Sequence, residues 1–220
     1  NATVITVFTN LIWDAANVSR DLAFKNPLEC LIQTIDFFKN DKDVHILLRS
    51  HPAESILGTQ EKYGTLIRDH FENNLPNNVT IIEPELSINS FSVIDVSDIG
   101  IVNTSTVGLE FAMLNKPVIL ISETHYRNKG FTYDVRSRNE YFDTLKDLLN
   151  DPKKLPRQVE LAEKYFYIMM FKYQQELPMK YNDVNFSNYT YTSIEDVPRV
   201  NNIYKIIENI KLNKTIDFVD

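Results

Sequence analysis

SDIGIVNTSTVGLEFAMLNKPVILIS, residues 97–122, contains most of what the fold reading needs. IGIV is apolar without alternation, as a strand covered on both faces should be, and PVILI is a second such run. Between them NTST opens a helix over residues 107–114, and Asn115-Lys116-Pro117 closes it. Strand, helix, strand in 26 residues is a parallel βαβ unit. The unusual part is NTSTVGLE, where three hydroxyl side chains, a glycine and a carboxylate follow a buried strand.

The same alternation extends outward on both sides. Strands are expected over residues 4–10, 45–49 and 79–84, besides 98–103 and 117–122. Helices are expected over 27–39, 55–73, 89–94, 107–114, 140–150, 158–176 and 199–211, with 123–138 as a loop. The fold class is therefore α/β: a Rossmann-like parallel sheet of about five or six strands flanked by helices, with a helical C-terminal extension. Residues 1–178 form the Rossmann-like domain, and residues 179–220 an extension whose terminal helix packs on it. The aromatic-rich helix 158–176 reads as core or interdomain packing.

Composition narrows the function classes. The chain has 220 residues, 43% hydrophobic and 24% charged, enough for one sizeable core. A net charge of −7, with no dense Lys/Arg cluster, argues against a nucleic-acid partner. The single cysteine, Cys30, forms no internal disulfide, and low cysteine usage favours a reducing compartment. The sequons at Asn78 and Asn103 read as by-products of an Asn-rich composition, which leaves the cytoplasm as the expected location. No signal peptide or bilayer-spanning run is visible. The chain begins abruptly with Asn1-Ala2 before a strand, which suggests a fragment of a longer protein.

In doubly wound sheets ligands bind beyond the carboxyl ends of the strands, so the residues just after each strand are the candidates. Asn10 follows the first. Arg49-Ser50-His51-Pro52-Ala53-Glu54 follows the second, Glu83-Pro84 the third, Asn103 to Gly108 the fourth, and a loop with Tyr126 the fifth. Hydroxyls at a helix start commonly cap orphan N–H groups. Thr104, Ser105 and Thr106 also suit an anion, because hydroxyls and free N–H groups meet the positive helix end there. Gly108 lets backbone or ligand approach closely. Glu110, one turn beyond Thr106, would repel phosphate but accept hydrogen bonds from a ribose diol. Either Arg49 or His51 is placed to stabilise charge on a departing phosphate. The backbone at Glu83-Pro84 suits a base edge. The four His are scattered and neither DxD nor HExxH occurs, so no metal site is expected.

LLRSHPAE at 47–54, followed about fifty residues later by SDIGIVNTSTVGLEFAMLNKPVILI, resembles the nucleotide-sugar-binding half of GT-B glycosyltransferases, especially the capsular polysaccharide group. The resemblance runs over roughly residues 4–178. It implies that His51 contacts the donor phosphate, that Ser105 and Thr106 bind the same phosphates, and that Glu110 holds the ribose. The function implied is donor binding in a metal-independent glycosyltransferase making a capsular or lipopolysaccharide-type polymer. The donor would be CMP-, UDP- or GDP-linked, with no further cofactor. A saccharide or lipid-linked acceptor would bind through a separate N-terminal domain, and the full-length enzyme would work peripherally at the inner face of a membrane. A polyol-phosphate transferase, a nucleotide-sugar epimerase and a non-catalytic nucleotide-binding module remain as alternatives.

Overall fold

The computed structural model describes residues 2–152 and 154–172, together with Leu212. The chain divides into two compact units, residues 1–163 and 164–220. The first holds a single six-stranded sheet, every pairing of which is parallel: β1 Thr3–Phe8, β2 Val44–Arg49, β3 Val79–Ile82, β4 Ile99–Val102, β5 Val118–Leu120 and β6 Tyr133–Asp134. Its order is β3-β2-β1-β4-β5-β6, the doubly wound arrangement that reverses direction between β1 and β4.

Seven helices are described: α1 Pro27–Phe38, α2 Ala53–Ile56, α3 Tyr63–His70, α4 Ser90–Val96, α5 Val107–Met113, α6 Arg138–Asn150 and α7 Gln158–Tyr167. The apolar strands are covered on both faces, and β4 is buried along its whole length. Asn26 caps α1 through its side chain to the Glu29 N–H, with Pro27 in the first turn. The helix then buries Leu31, Ile35 and Phe38 against the sheet. Cys30 lies inside the same core, where burial pushes its thiol up to about 12, so it is an inert packing group.

The expected helix over 55–73 is two helices. Gly58 adopts φ +62, a left-handed conformation that ends α2, and the connection runs to Tyr63 before α3 begins. Residues 133–134, expected as loop, pair with β5 as a sixth strand. The crossover from β5 to β6 contains no helix. Arg127, 3% exposed, holds it together by donating to the carbonyls of Leu120 (3.3 Å), Ser122 (3.2 Å) and Val135 (2.7 Å). The helix expected over 158–176 is α7 followed by one π-helical turn, Ile168–Lys172. Tyr167 and Phe171 there pack with their rings tilted at 33° and are exposed. The terminal helix expected over 199–211 lies outside the described residues.

Register sets up the site. Phe8 pairs with both Arg49 and Val102, Arg49 with Ile82, and Val102 with Leu120. Five strand ends therefore stand in one row, and the loops that follow start side by side. Among the described residues no helix is long and apolar enough to cross a membrane. Two of the sequon asparagines, Asn78 and Asn103, are spent internally. Asn78 donates to the carbonyls of Phe38, Asp41 and Val44, and Asn103 is buried.

Candidate functional site

The crevice at the β1/β4 reversal is built from short polar side chains that fix one another. Thr9, directly after β1, donates to the Arg49 carbonyl (3.3 Å) and accepts from the His51 N–H (3.1 Å), stitching the β1 and β2 ends together. Asn10 donates to the Thr104 hydroxyl at 3.0 Å. Asn17 accepts from both the Asn103 amide (2.9 Å) and the Thr104 hydroxyl (3.1 Å), while its own amide holds the Leu11 carbonyl. Ser122, after β5, donates to Asn103. Four strand-end loops thus form one rim. The Asn10 Oδ1 is buried there without a partner among the described residues. An acceptor left unmet costs about 1–3 kcal/mol, so this atom is a natural receiver for a ligand hydroxyl or a water.

At the start of α5 the hydroxyls divide their work. Ser105 Oγ accepts from the Val107 N–H at 3.3 Å, the local capping bond that such residues favour. Thr106 stands at the N-cap position, exposed, and its side chain makes no capping bond. Its hydroxyl is the one directed at solvent rather than at the helix. Glu110, one turn on, is half-buried and has no side-chain partner among the described residues; burial raises its carboxyl above the usual range.

Two residues expected on the ligand side stand behind this loop. Tyr126 is wholly buried, and its hydroxyl donates to the Ser105 carbonyl. It positions Ser105 from the protein side. Gly108 makes room for that phenol: a Cβ at 108 would lie 3.1 Å from Tyr126 Cζ and 2.8 Å from Val102 Cγ2, with the hydroxyl closer still. The close approach expected of Gly108 is therefore by a core side chain.

The β2 loop sorts in a similar way. Arg49 is 3% exposed, and its guanidinium donates to the carbonyls of Glu83 (3.1 Å), Ile88 (3.2 Å) and, weakly, Leu86 (3.5 Å). Its charge is committed to the loop after β3. His51 is half-buried, and its Nδ1 accepts the Ala53 N–H at 3.1 Å, so the neutral ring carries its proton on Nε2. Burial, then the nearby Arg49 charge, lowers its pKa, with Asp14 opposing. At neutral pH His51 is thus a neutral N–H donor with a fixed tautomer. Glu54 is fully buried; one oxygen accepts from the Tyr63 N–H and the other has no partner among the described residues. Glu83 pairs with Arg68, its carbonyl serves Arg49 and the Leu86 N–H, and Pro84 is buried. That leaves the Glu83 carbonyl already engaged where a base edge was expected to meet it.

The structure therefore gathers Asn10, His51, Thr104, Ser105 and Thr106 around three adjacent strand ends, and places Arg49 and Tyr126 in support. Thr9 stands with Asn10 at the expected strand end, whereas Asn17, which ties the loops together, carries no mark in the sequence that separates it from the chain's many other polar loop residues. Among the described residues no group of three or more His, Cys, Asp or Glu side chains is arranged to hold a metal ion.

No family model and no curated protein sequence matches the chain. Solved structures do. UDP-GlcNAc 2-epimerase from Neisseria meningitidis bound to UDP-GlcNAc matches at 13% identity and a TM-score of 0.51, over 77% of this chain and 45% of that one. S. aureus MnaA with UDP matches at 12% and 0.51, again over 77% and 45%. Thermosulfurimonas dismutans KpsC, a beta Kdo 2,4 transferase, matches at 17% and 0.46, over 73% and 43%. The chain spans less than half the length of these proteins. At such identities the likeness shows the architecture alone: a Rossmann-like α/β sheet shared with about half of each of the two proteins matched at a TM-score of 0.51.

Proposed function

We propose that the chain is the donor-binding half of a glycosyltransferase that builds a surface polysaccharide, and that it holds a nucleotide sugar across the β1/β4 crevice. The observation that carries this is the rim at the level strand ends, where the exposed Thr106 and the His51 Nε2–H are available as donors and the Asn10 Oδ1 as an acceptor, while Thr9, Asn17, Asn103 and Thr104 are braced on their neighbours. The phosphates sit against Ser105, Thr106 and His51. Glu110 accepts from the ribose diol, a hydrogen-bond role suited to a carboxylate, which has acceptor oxygens and no proton to donate. Transfer breaks the bond between the sugar's anomeric carbon and the phosphate oxygen, and forms one to an acceptor hydroxyl. Negative charge grows on the departing phosphate, where preorganised donors act most strongly. The acceptor is a saccharide or lipid-linked saccharide bound by a second half, so the 220 residues alone bind nucleotide and transfer nothing.

A thermal-shift screen of the chain with CMP, CDP, UDP and GDP and their sugars tests this. A ligand at a hundred times its Kd adds about 2.7 kcal/mol to the folded state. One nucleotide family should raise the melting temperature, and His51→Ala should weaken that ligand about tenfold or more. If none of them shifts the wild-type chain, the reading is wrong.

A further inference from the structure

A second concave feature adjoins the crevice. The long connection from β1 to α1 folds over the segment that links α2 to α3, and the two enclose a cavity of about 490 Å³. That lies within the usual range for small-molecule sites. Trp13 lines it with its indole 58% exposed, and Nε1–H donates to Thr59 at 3.1 Å, which fixes the ring's orientation. An exposed indole held in place by its polar edge presents its apolar face to whatever enters.

The polar lining has one sign. Asp14, Asp21 and Glu61 bring carboxylates, and no Lys, Arg or His lines the space. These carboxylates are not grouped to hold a metal ion. Tyr63 also lines the cavity. It is 2% exposed. Burial raises its pKa, so it is a neutral O–H. A phosphate or an acidic sugar would meet only repulsion here. A ring with C–H groups on one face and hydroxyls around its edge would meet an aromatic plate, carboxylate acceptors and a phenol.

The cavity is mechanically joined to the hydroxyl-rich loop. Asn17 is part of its wall and accepts from Asn103 and Thr104, and the Asp21 backbone bridges to Ser122. We infer that this cavity is a subsite for an uncharged sugar ring, stacked on Trp13 and hydrogen-bonded by Asp21, Glu61 and Tyr63. Sugar binding itself stands on the cavity's own chemistry; the subsite's position beside a nucleotide rests on the reading above. The ring belongs either to the donor or to the acceptor, since both would lie next to the phosphate loop.

Trp13 is the chain's sole tryptophan, so its fluorescence reports on this cavity alone. The chain is titrated with N-acetylglucosamine, galactose, N-acetylneuraminate, UDP and UDP-N-acetylglucosamine, following Trp13 emission and saturation-transfer NMR. A neutral sugar, free or nucleotide-linked, should give a saturable change, and Tyr63→Phe and Asp21→Asn should each weaken it about tenfold. N-acetylneuraminate should give none. A response to the free sugars marks an acceptor subsite; a response to UDP-N-acetylglucosamine alone marks the donor's ring. If no neutral sugar in either form moves the signal, or if UDP alone moves it as strongly, the inference is overturned. Nucleotide binding in the thermal-shift screen can survive that result, so the two failures are separable.

Discussion

Gly108→Ala is the sharpest test of how the hydroxyl-rich loop is held. In an ordinary helix this substitution stabilises, because alanine is favoured over glycine by about 1 kcal/mol. Here the new methyl would stand 2.8 Å from Val102 Cγ2 and 3.1 Å from Tyr126 Cζ, with the Tyr126 hydroxyl nearer than any real contact. Overpacking of this kind costs about 1–3 kcal/mol. If the phenol is driven off the Ser105 carbonyl, about 1 kcal/mol of hydrogen bonding goes with it. The clash exceeds the propensity gain, and the net expectation is a loss of roughly 1–3 kcal/mol. Urea denaturation measures it directly, and a melting temperature lower by several degrees should accompany it. Removing the hydroxyl relieves the worst contact, so Gly108→Ala combined with Tyr126→Phe should be more stable than the two single effects added together. A coupling of about 1 kcal/mol is expected between groups in such contact. A Gly108→Ala variant as stable as wild type, or strict additivity in the cycle, would refute the placement of Tyr126 behind Ser105.

The remaining expectations concern the same face of the sheet. Arg49→Met leaves the Glu83 and Ile88 carbonyls without their donor and should cost about 2 kcal/mol by denaturation, and Arg49→Lys should not restore it because an ammonium lacks the guanidinium fork. Burial holds the Glu54 carboxyl above its unfolded value, so the stability it contributes is present below about pH 4.3 and is lost as pH rises through the folded pKa. Glu54→Gln should therefore gain on wild type as pH is raised from 4 to 7; a difference that does not change with pH would contradict it. Asn78→Ala removes an amide that serves three carbonyls at the edge of β2 and should cost about 1–3 kcal/mol in the same assay.

The sheet was legible because its evidence is local. IGIV and PVILI are too continuously apolar to be anything but covered strands, and Asn115-Lys116-Pro117 ends a helix by simple chemistry. Gly58 was visible too, but whether it bends, caps or breaks a helix depends on φ, which the sequence does not state. β6 escaped notice because two residues carry no periodicity; Tyr133 and Asp134 become a strand only by lying beside Ile119 and Leu120. For the site, residue type located the loops and direction remained hidden. Arg49 and Tyr126 have the right chemistry for a ligand and the right position along the chain. Each turns its polar atoms to backbone carbonyls in the interior, a choice set by tertiary packing. Trp13 and Tyr63 lie fifty residues apart, and nothing local marks them as walls of one cavity.

Arg49 and Arg127 share a habit with a wider consequence. Arg49 is buried at the end of β2 and Arg127 within the β5–β6 crossover, and each grips the surrounding backbone through main-chain oxygens. Every residue type supplies that oxygen, so the grip is indifferent to which side chains the loop carries. The exposed Leu86 and Ile88 can then change identity while the path of their loop stays put. In evolutionary terms, arginines used in this way let the loops above the strand ends diversify without renegotiating the scaffold beneath them.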